Sequence, residues 1–170
     1  AGKSYTFVAY SVNGTTALPN PTNKANLSTA TLNNISTPLL YFRRDVVLQH
    51  GNNSLNITLK HQYSQITTRI ELDPSTAGNI TAVGTPTIRP VRENGTIRFF
   101  NGAVTYGSAV TNGTAVTFPS VGTGVRSITS NPTLLISPST TTATFNVGSL
   151  TASSITKANV ALSNLKITPG

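Results

Sequence analysis

The apolar residues of this chain recur at every second position, and that period decides what it can fold into. In residues 55–60, Leu55, Ile57 and Leu59 alternate with Asn56, Thr58 and Lys60. In 66–72, Ile66, Thr68, Ile70 and Leu72 share one parity, while Thr67, Arg69 and Glu71 take the other. Successive strand side chains point to opposite faces, so each segment reads as a strand with one buried and one solvated side. The six residues Leu55, Ile57, Leu59, Ile66, Ile70 and Leu72 are expected to face one buried layer, with Lys60 and Glu71 outside. Shorter runs of the same kind lie at 5–10, 39–42, 46–48, 97–104, 115–118, 133–136, 142–147 and 160–167. Many of their residues are β-branched, as half-buried pleated surfaces prefer.

Breakers separate these runs. Asn13-Gly14, Asn94-Gly95, Asn101-Gly102 and Asn112-Gly113 offer the positive φ angles of tight turns. Pro19, Pro21, Pro38, Pro74, Pro119, Pro132 and Pro138 interrupt any long helix. Residues 23–37 come closest to a helical stripe, but Leu27, Leu32 and Ile35 sit there among Thr and Asn. The expected fold is all-β: a β-sandwich of the transthyretin or immunoglobulin-like Greek-key type. One full sandwich is predicted over 1–106, a linker over 107–113, and a smaller β unit over 114–170 that is an incomplete second domain, an extension of the first sandwich, or a unit completed by another chain. A β unit of that last size is marginal alone.

Composition narrows the function. Charged residues are 9% of the 170, whereas 29 Thr, 17 Ser and 17 Asn supply neutral polarity. Apolar residues still reach 37%, which argues for a folded chain. The net charge of +8 arises from a shortage of acids, since Lys and Arg total only 12. These cations are dispersed, with Arg43-Arg44 the one adjacent pair and Arg89, Arg92 and Arg98 a loose group. A solvated basic surface is therefore expected, and no nucleic-acid partner. Disulfides and thiolate metal sites are excluded because there is no Cys. No apolar run approaches the roughly 18 residues of a membrane-spanning helix. Nothing after Ala1 resembles a signal peptide, so the chain reads as a mature product or one given without its targeting segment.

Catalytic material is scarce. The acids are Asp45, Glu71, Asp73 and Glu93, and the histidines are His50 and His61. The two histidines could share adjacent strands, but a metal needs a third ligand and Asp45 is the one acid nearby. His61 continues the parity of Leu55, Ile57 and Leu59, which places it at the edge of the core. Glu71 and Asp73 sit before Pro74 on one strand end and make a poor glycosidase pair. The two SxxK matches, Ser154–Lys157 and Ser163–Lys166, lack SDN and KTG companions. No enzyme, cofactor or metal is expected. Eight N-x-S/T sequons, at Asn13, Asn26, Asn34, Asn52, Asn56, Asn79, Asn94 and Asn112, follow from composition in a chain this rich in Asn and Thr. Tyr5, Tyr10, Tyr41, Tyr63 and Tyr106 are scattered, which favours packing over a sugar-stacking platform.

Several phrases are nevertheless distinctive. GKSYTFVAYSVNG (2–14), LLYFRRDV (39–46) and LNITLKHQYSQITTRIEL (55–72) resemble the fimbrillin family, the subunits and accessory components of type V pili of Bacteroidia-type bacteria. The family's Tyr-hydrophobic-Ala-Tyr strand is matched by Tyr5, Ala9 and Tyr10, and its later strand pair by Leu59, His61, Ser64 and Ile66. Residues 79–105 and 133–170 are similar to its later strands, so the resemblance runs along nearly the whole chain. Family members carry more sequence before the Tyr-rich strand and continue past ITPG into a final apolar strand. The resemblance implies an extracellular, cell-surface structural subunit that loses an N-terminal segment to a protease and accepts a strand from a neighbour. Its partners would be copies of itself, other pilus subunits or host glycans. A charge-poor surface suits such stacking, because few ions are desolvated between subunits. The rival expectation is a carbohydrate- or host-binding adhesin or pilus-tip module on the same sandwich. Within 158–168, Val160 and Leu162 share one parity and Leu165 and Ile167 the other, with Ser163-Asn164 as the bulge that re-aligns them. These four residues are the expected subunit interface.

Overall fold

The computed structural model describes residues 2–14 and 17–170. Ala1, the start of the expected mature chain, lies outside the described residues, as do Thr15 and Thr16. The described residues form fourteen strands and no helix. In chain order they are β1 (Ser4–Ser11), β2 (Thr31–Ile35), β3 (Leu40–Val47), β4 (Lys60–His61), β5 (Ser64–Ile66), β6 (Arg69–Glu71) and β7 (Ile80–Arg89). They continue as β8 (Gly95–Arg98), β9 (Val104–Tyr106), β10 (Thr114–Ala115), β11 (Ser127–Thr129), β12 (Thr133–Leu135), β13 (Thr140–Ala152) and β14 (Ile155–Ile167). The fold is all-β and of β-sandwich type, as the period-two pattern predicts.

The strands divide into two compact units that are interleaved along the chain. The first holds residues 1–63, 93–108 and 169–170, and the second holds 64–92 and 109–168. This differs from a sequential split at 107–113, and the second unit is not the smaller one. The reason is pairing: β7, from the middle of the chain, lies between β10 and β13 in one sheet. The apolar residues of 55–72 consequently serve two cores rather than one layer, with Leu55 and Leu59 in the first unit and Ile66, Ile70 and Leu72 in the second.

In the first unit, two three-stranded sheets form, β1-β3-β4 and β2-β8-β9. The runs expected at 39–42 and 46–48 are one strand, β3, paired with β1 from Ser4↔Val47 to Ser11↔Leu40. Leu32, Leu39 and Ile97 are fully buried between the elements. Tyr10 and Tyr41 pack on Phe99 at centroid distances of 5.3 and 6.0 Å. Buried phenols need acceptors, and they have them: Tyr41 donates to the Phe99 carbonyl at 2.6 Å and Tyr63 to the Ile35 carbonyl at 2.9 Å. The segment with the weak helical stripe, 23–37, ends in β2 instead. The run at 97–104 is two strands around a tight turn in which Gly102 has φ +71°, and its Cβ would meet Tyr41 at 2.8 Å. Asn94-Gly95 is no turn: Gly95 opens β8, where a Cβ would meet the Tyr63 hydroxyl at 2.5 Å.

One expected strand is largely missing. Of 55–60 only Lys60 enters a ladder, Leu55 and Leu59 are half-buried, and Ile57 is 52% exposed. His61 is exposed opposite Leu40, not at the edge of the core. The turn just upstream is held by a side chain. The Asn53 amide accepts from the Gln49 N–H at 2.9 Å and donates to the Gln49 and Gly51 carbonyls. This side chain closes the turn over 49–53, while 55–59 leave the register that pairs Tyr41 with Lys60.

The second unit is built on the sheet β10-β7-β13-β14, with β11-β6 and β12-β5 as two-stranded ladders. Its core gathers Ile88, Val91, Val116, Leu135, Ala143, Phe145, Val147 and Ile167, with Ile66 and Ile70 packed against it. Thr67, Arg69 and Glu71 are exposed, so the alternation of 66–72 holds.

Candidate functional site

The interface candidates Val160, Leu162, Leu165 and Ile167 all lie on β14, an edge of the four-stranded sheet. Phe145 pairs with Leu162 and Ala143 with Leu165, so β14 carries an extra residue between them. Asn164 takes φ +60° there. This bulge returns Leu165 and Ile167 to the face of Val160 and Leu162. Three of the four are engaged at home: Val160 and Leu165 pack on the core, and Ile167 belongs to it. Leu162 shares the face of buried Phe145 yet is 59% exposed.

A second irregularity extends that face. Gly148 is skipped in both its ladders, between the pairs of Val147 and Ser149 on either side. Its neighbours across the sheet are Thr85, with φ +46°, and Asn159, with φ +53°. This row of three shifts the alternation by one. Ala143, Phe145 and Val147 face the core before it, and Leu150 packs against the core after it. The apolar face therefore continues into a groove of about 430 Å³ lined by Leu72, Ala77, Leu150, Ile155, Lys157 and Val160. Ile155 is 66% exposed beside it. The opposite wall, 72–77, is fixed by Arg126, which donates to the carbonyls of Asp73 and Thr76 at 2.8 Å and Gly78 at 3.1 Å. No signal in the sequence marked Arg126, because a guanidinium serving three carbonyls needs no acidic partner.

A larger concavity, about 720 Å³, opens in the first unit where β4 ends. The ladder of β3 and β4 stops at Tyr41↔Lys60. Beyond it the space is lined by Arg43, Thr58, Lys60, Gln62, Phe100 and Asn101. Phe100, in the β8–β9 turn, is 54% exposed. The Arg43 guanidinium lies 5.8 Å from its ring centroid and pairs with Asp45 at 2.9 Å. A hydrogen bond from Thr6 at 2.5 Å, aided by Arg43, holds the Asp45 carboxyl below its usual range. The Nε of Arg43 is buried without a partner among the described residues.

The remaining candidates are dispersed. His50 and His61 are both exposed, and no group of three potential metal-ligating side chains occurs among the described residues. Glu71 pairs with Arg69 at 2.9 Å on the exposed side of β6, and Asp73 caps the turn at Ser75. Lys157 lines the β14 groove, whereas Ser163 and Lys166 are exposed. The tyrosines do not assemble into a platform. Tyr41 and Tyr63 are core residues, Tyr10 donates to the Pro19 carbonyl, and Tyr5 is 48% exposed.

No family model matches this chain, and no curated protein matches it. Among solved structures it is similar to a “putative adhesin” from Bacteroides ovatus, with 9% identity and a TM-score of 0.45. The similarity covers 95% of this chain and 65% of that one, so the chain spans less than two thirds of the length of the protein it matches.

Proposed function

We propose that this chain is a structural subunit of an extracellular, cell-surface filament, and that β14 is where a strand of a neighbouring subunit is added. The observation that carries the reading is the edge of the second unit. The thirteen-residue strand β14 is paired on one side only, and its core-facing side leaves Ile155 exposed in the groove and Leu162 exposed beyond it. An added strand satisfies the free backbone groups while its alternate side chains fill the groove. Since Val160, Leu165 and Ile167 already serve their own core, β14 acts as acceptor and the donated segment comes from another copy. Lys157, Lys166 and the two left-handed asparagines interrupt the edge, which limits unspecific pairing. The reading assigns no catalytic role and needs no cofactor.

Because Ile155 and Leu162 are exposed, replacing them with Asp leaves the fold intact and places a charge in the groove at Ile155, or on the open apolar face of β14 at Leu162. Negative-stain microscopy of the full chain should show filaments, and Ile155→Asp and Leu162→Asp should abolish or shorten them with unchanged thermal unfolding. Dispersed particles from the unaltered chain, or filaments indifferent to both substitutions, would sink the proposal.

A further inference from the structure

We infer that the first unit carries a binding site for an acidic sugar, a pyranose bearing a carboxylate, in the concavity between β3, β4 and the β8–β9 turn. This goes beyond the filament reading and uses none of the groove beside β14. Its volume of about 720 Å³ lies within the roughly 300–1,000 Å³ of small-molecule sites. The lining holds two cations, Arg43 and Lys60, and no acid. Asp45 is outside the lining and occupies only one amino group of Arg43, so it orients the guanidinium without filling its donor set. Phe100 offers an exposed aromatic ring, the surface on which the C–H face of a pyranose stacks.

The two amides complete the match to hydroxyl groups. The Asn101 carbonyl oxygen accepts from the Ala103 N–H at 3.0 Å, which leaves its amino group as a donor. Gln62 donates to the Lys60 carbonyl at 3.1 Å, which leaves its carbonyl oxygen as an acceptor. Thr58 adds a hydroxyl. A neutral sugar would use the ring and the amides but would bring no anion to Lys60 or to the remaining donors of Arg43. An inorganic anion would use the cations and leave the ring bare.

Methyl β-glucuronide, methyl β-glucoside and inorganic phosphate distinguish these cases when titrated into the labelled full chain and followed by amide NMR. The glucuronide should shift amides of 58–62 and 100–102, with millimolar affinity at least tenfold tighter than the glucoside. Phosphate should not displace it at equal concentration. Phe100→Ala should weaken glucuronide binding at least tenfold, and Lys60→Gln should weaken it and flatten its salt dependence. Phe100 and Lys60 are both exposed, so unaltered thermal unfolding is the control for each variant. Equal affinity for glucoside and glucuronide, full competition by phosphate, shifts confined to other residues, or no shift at 20-fold the expected concentration would each overturn the assignment.

Discussion

At the scale of single residues, burial sets the pH range over which Tyr63 supports the fold. Its phenol is 3% exposed, and burial, with the nearby Tyr106, pushes its pKa up to about 12. The folded state therefore holds this proton more tightly than the unfolded chain, whose phenols ionise near 10. The stabilisation is complete below pH 10 and is lost as pH rises towards 12. Tyr63→Phe should cost about 1–2 kcal/mol at neutral pH, because the Ile35 carbonyl loses its donor. The same variant should lose less stability than the parent between pH 10 and 12, as read by urea titration at both limits. Asn164 gives a conformational counterpart. A left-handed residue other than Gly or Asn costs about 1–2 kcal/mol, so Asn164→Val should destabilise by that amount and Asn164→Gly by far less. The bulge was legible in the sequence because the apolar parity switches between Leu162 and Leu165. The row at Thr85, Gly148 and Asn159 was not, since a β-branched residue at positive φ runs against its own preference.

Elements were legible where an apolar pattern coincides with a paired strand and illegible where the ladder ends before the pattern does. β12 and, across its bulge, β14 follow the alternation read from Thr133 and Val160, whereas the burial of β1 does not alternate. Residues 55–59 alternate equally well but leave the β3 ladder, which ends at Tyr41↔Lys60, a departure that periodicity does not register. The concavity where β4 ends was hidden for the same reason, because its lining residues meet only when that ladder stops short. In the four-stranded sheet, the glycine at 148 is a requirement of close approach. A Cβ there would collide with the Thr85 hydroxyl and lie 3.4 Å from the Gly84 carbonyl. Gly148→Ala should destabilise the protein by about 1–3 kcal/mol in urea titration, with amide shifts concentrated on β7, β13 and β14. The groove wall offers a milder test: Arg126→Ala frees three carbonyls of the 73–78 loop and should raise hydrogen exchange there before it affects the core.

For the whole molecule, the interleaved chain means that neither unit can be cut out as a continuous fragment. A 1–106 fragment would contain β5, β6 and β7 but lack β12, β11 and β13, their ladder partners. Its complement, 114–170, would keep the β13–β14 hairpin without the strand that flanks it on the other side. Both fragments should give poorly dispersed amide spectra and no cooperative thermal transition, whereas the full chain should melt cooperatively. A well-dispersed spectrum from 1–106 would contradict the division of the chain given above. Sequence reading placed a linker at 107–113 from Gly, Ser and Asn content alone. Those residues instead straddle a boundary between units, at 108 and 109.

The β13–β14 hairpin also has a consequence in time. Ala152 pairs directly with Ile155, so only Ser153 and Ser154 separate two arms of thirteen residues each. Hairpins of this kind zip within about 1–10 μs, while pairings such as Arg89 with Thr144 wait for a long loop to close. The hairpin is thus the natural nucleus, onto which β7 condenses in the rate-limiting step. On that order of events the outer backbone of β14 is presented from the earliest moment, to a second chain as readily as to solvent. Val160→Ala should slow refolding more than it speeds unfolding, giving a φ-value above about 0.5 in a chevron analysis. A value near zero would place the hairpin late.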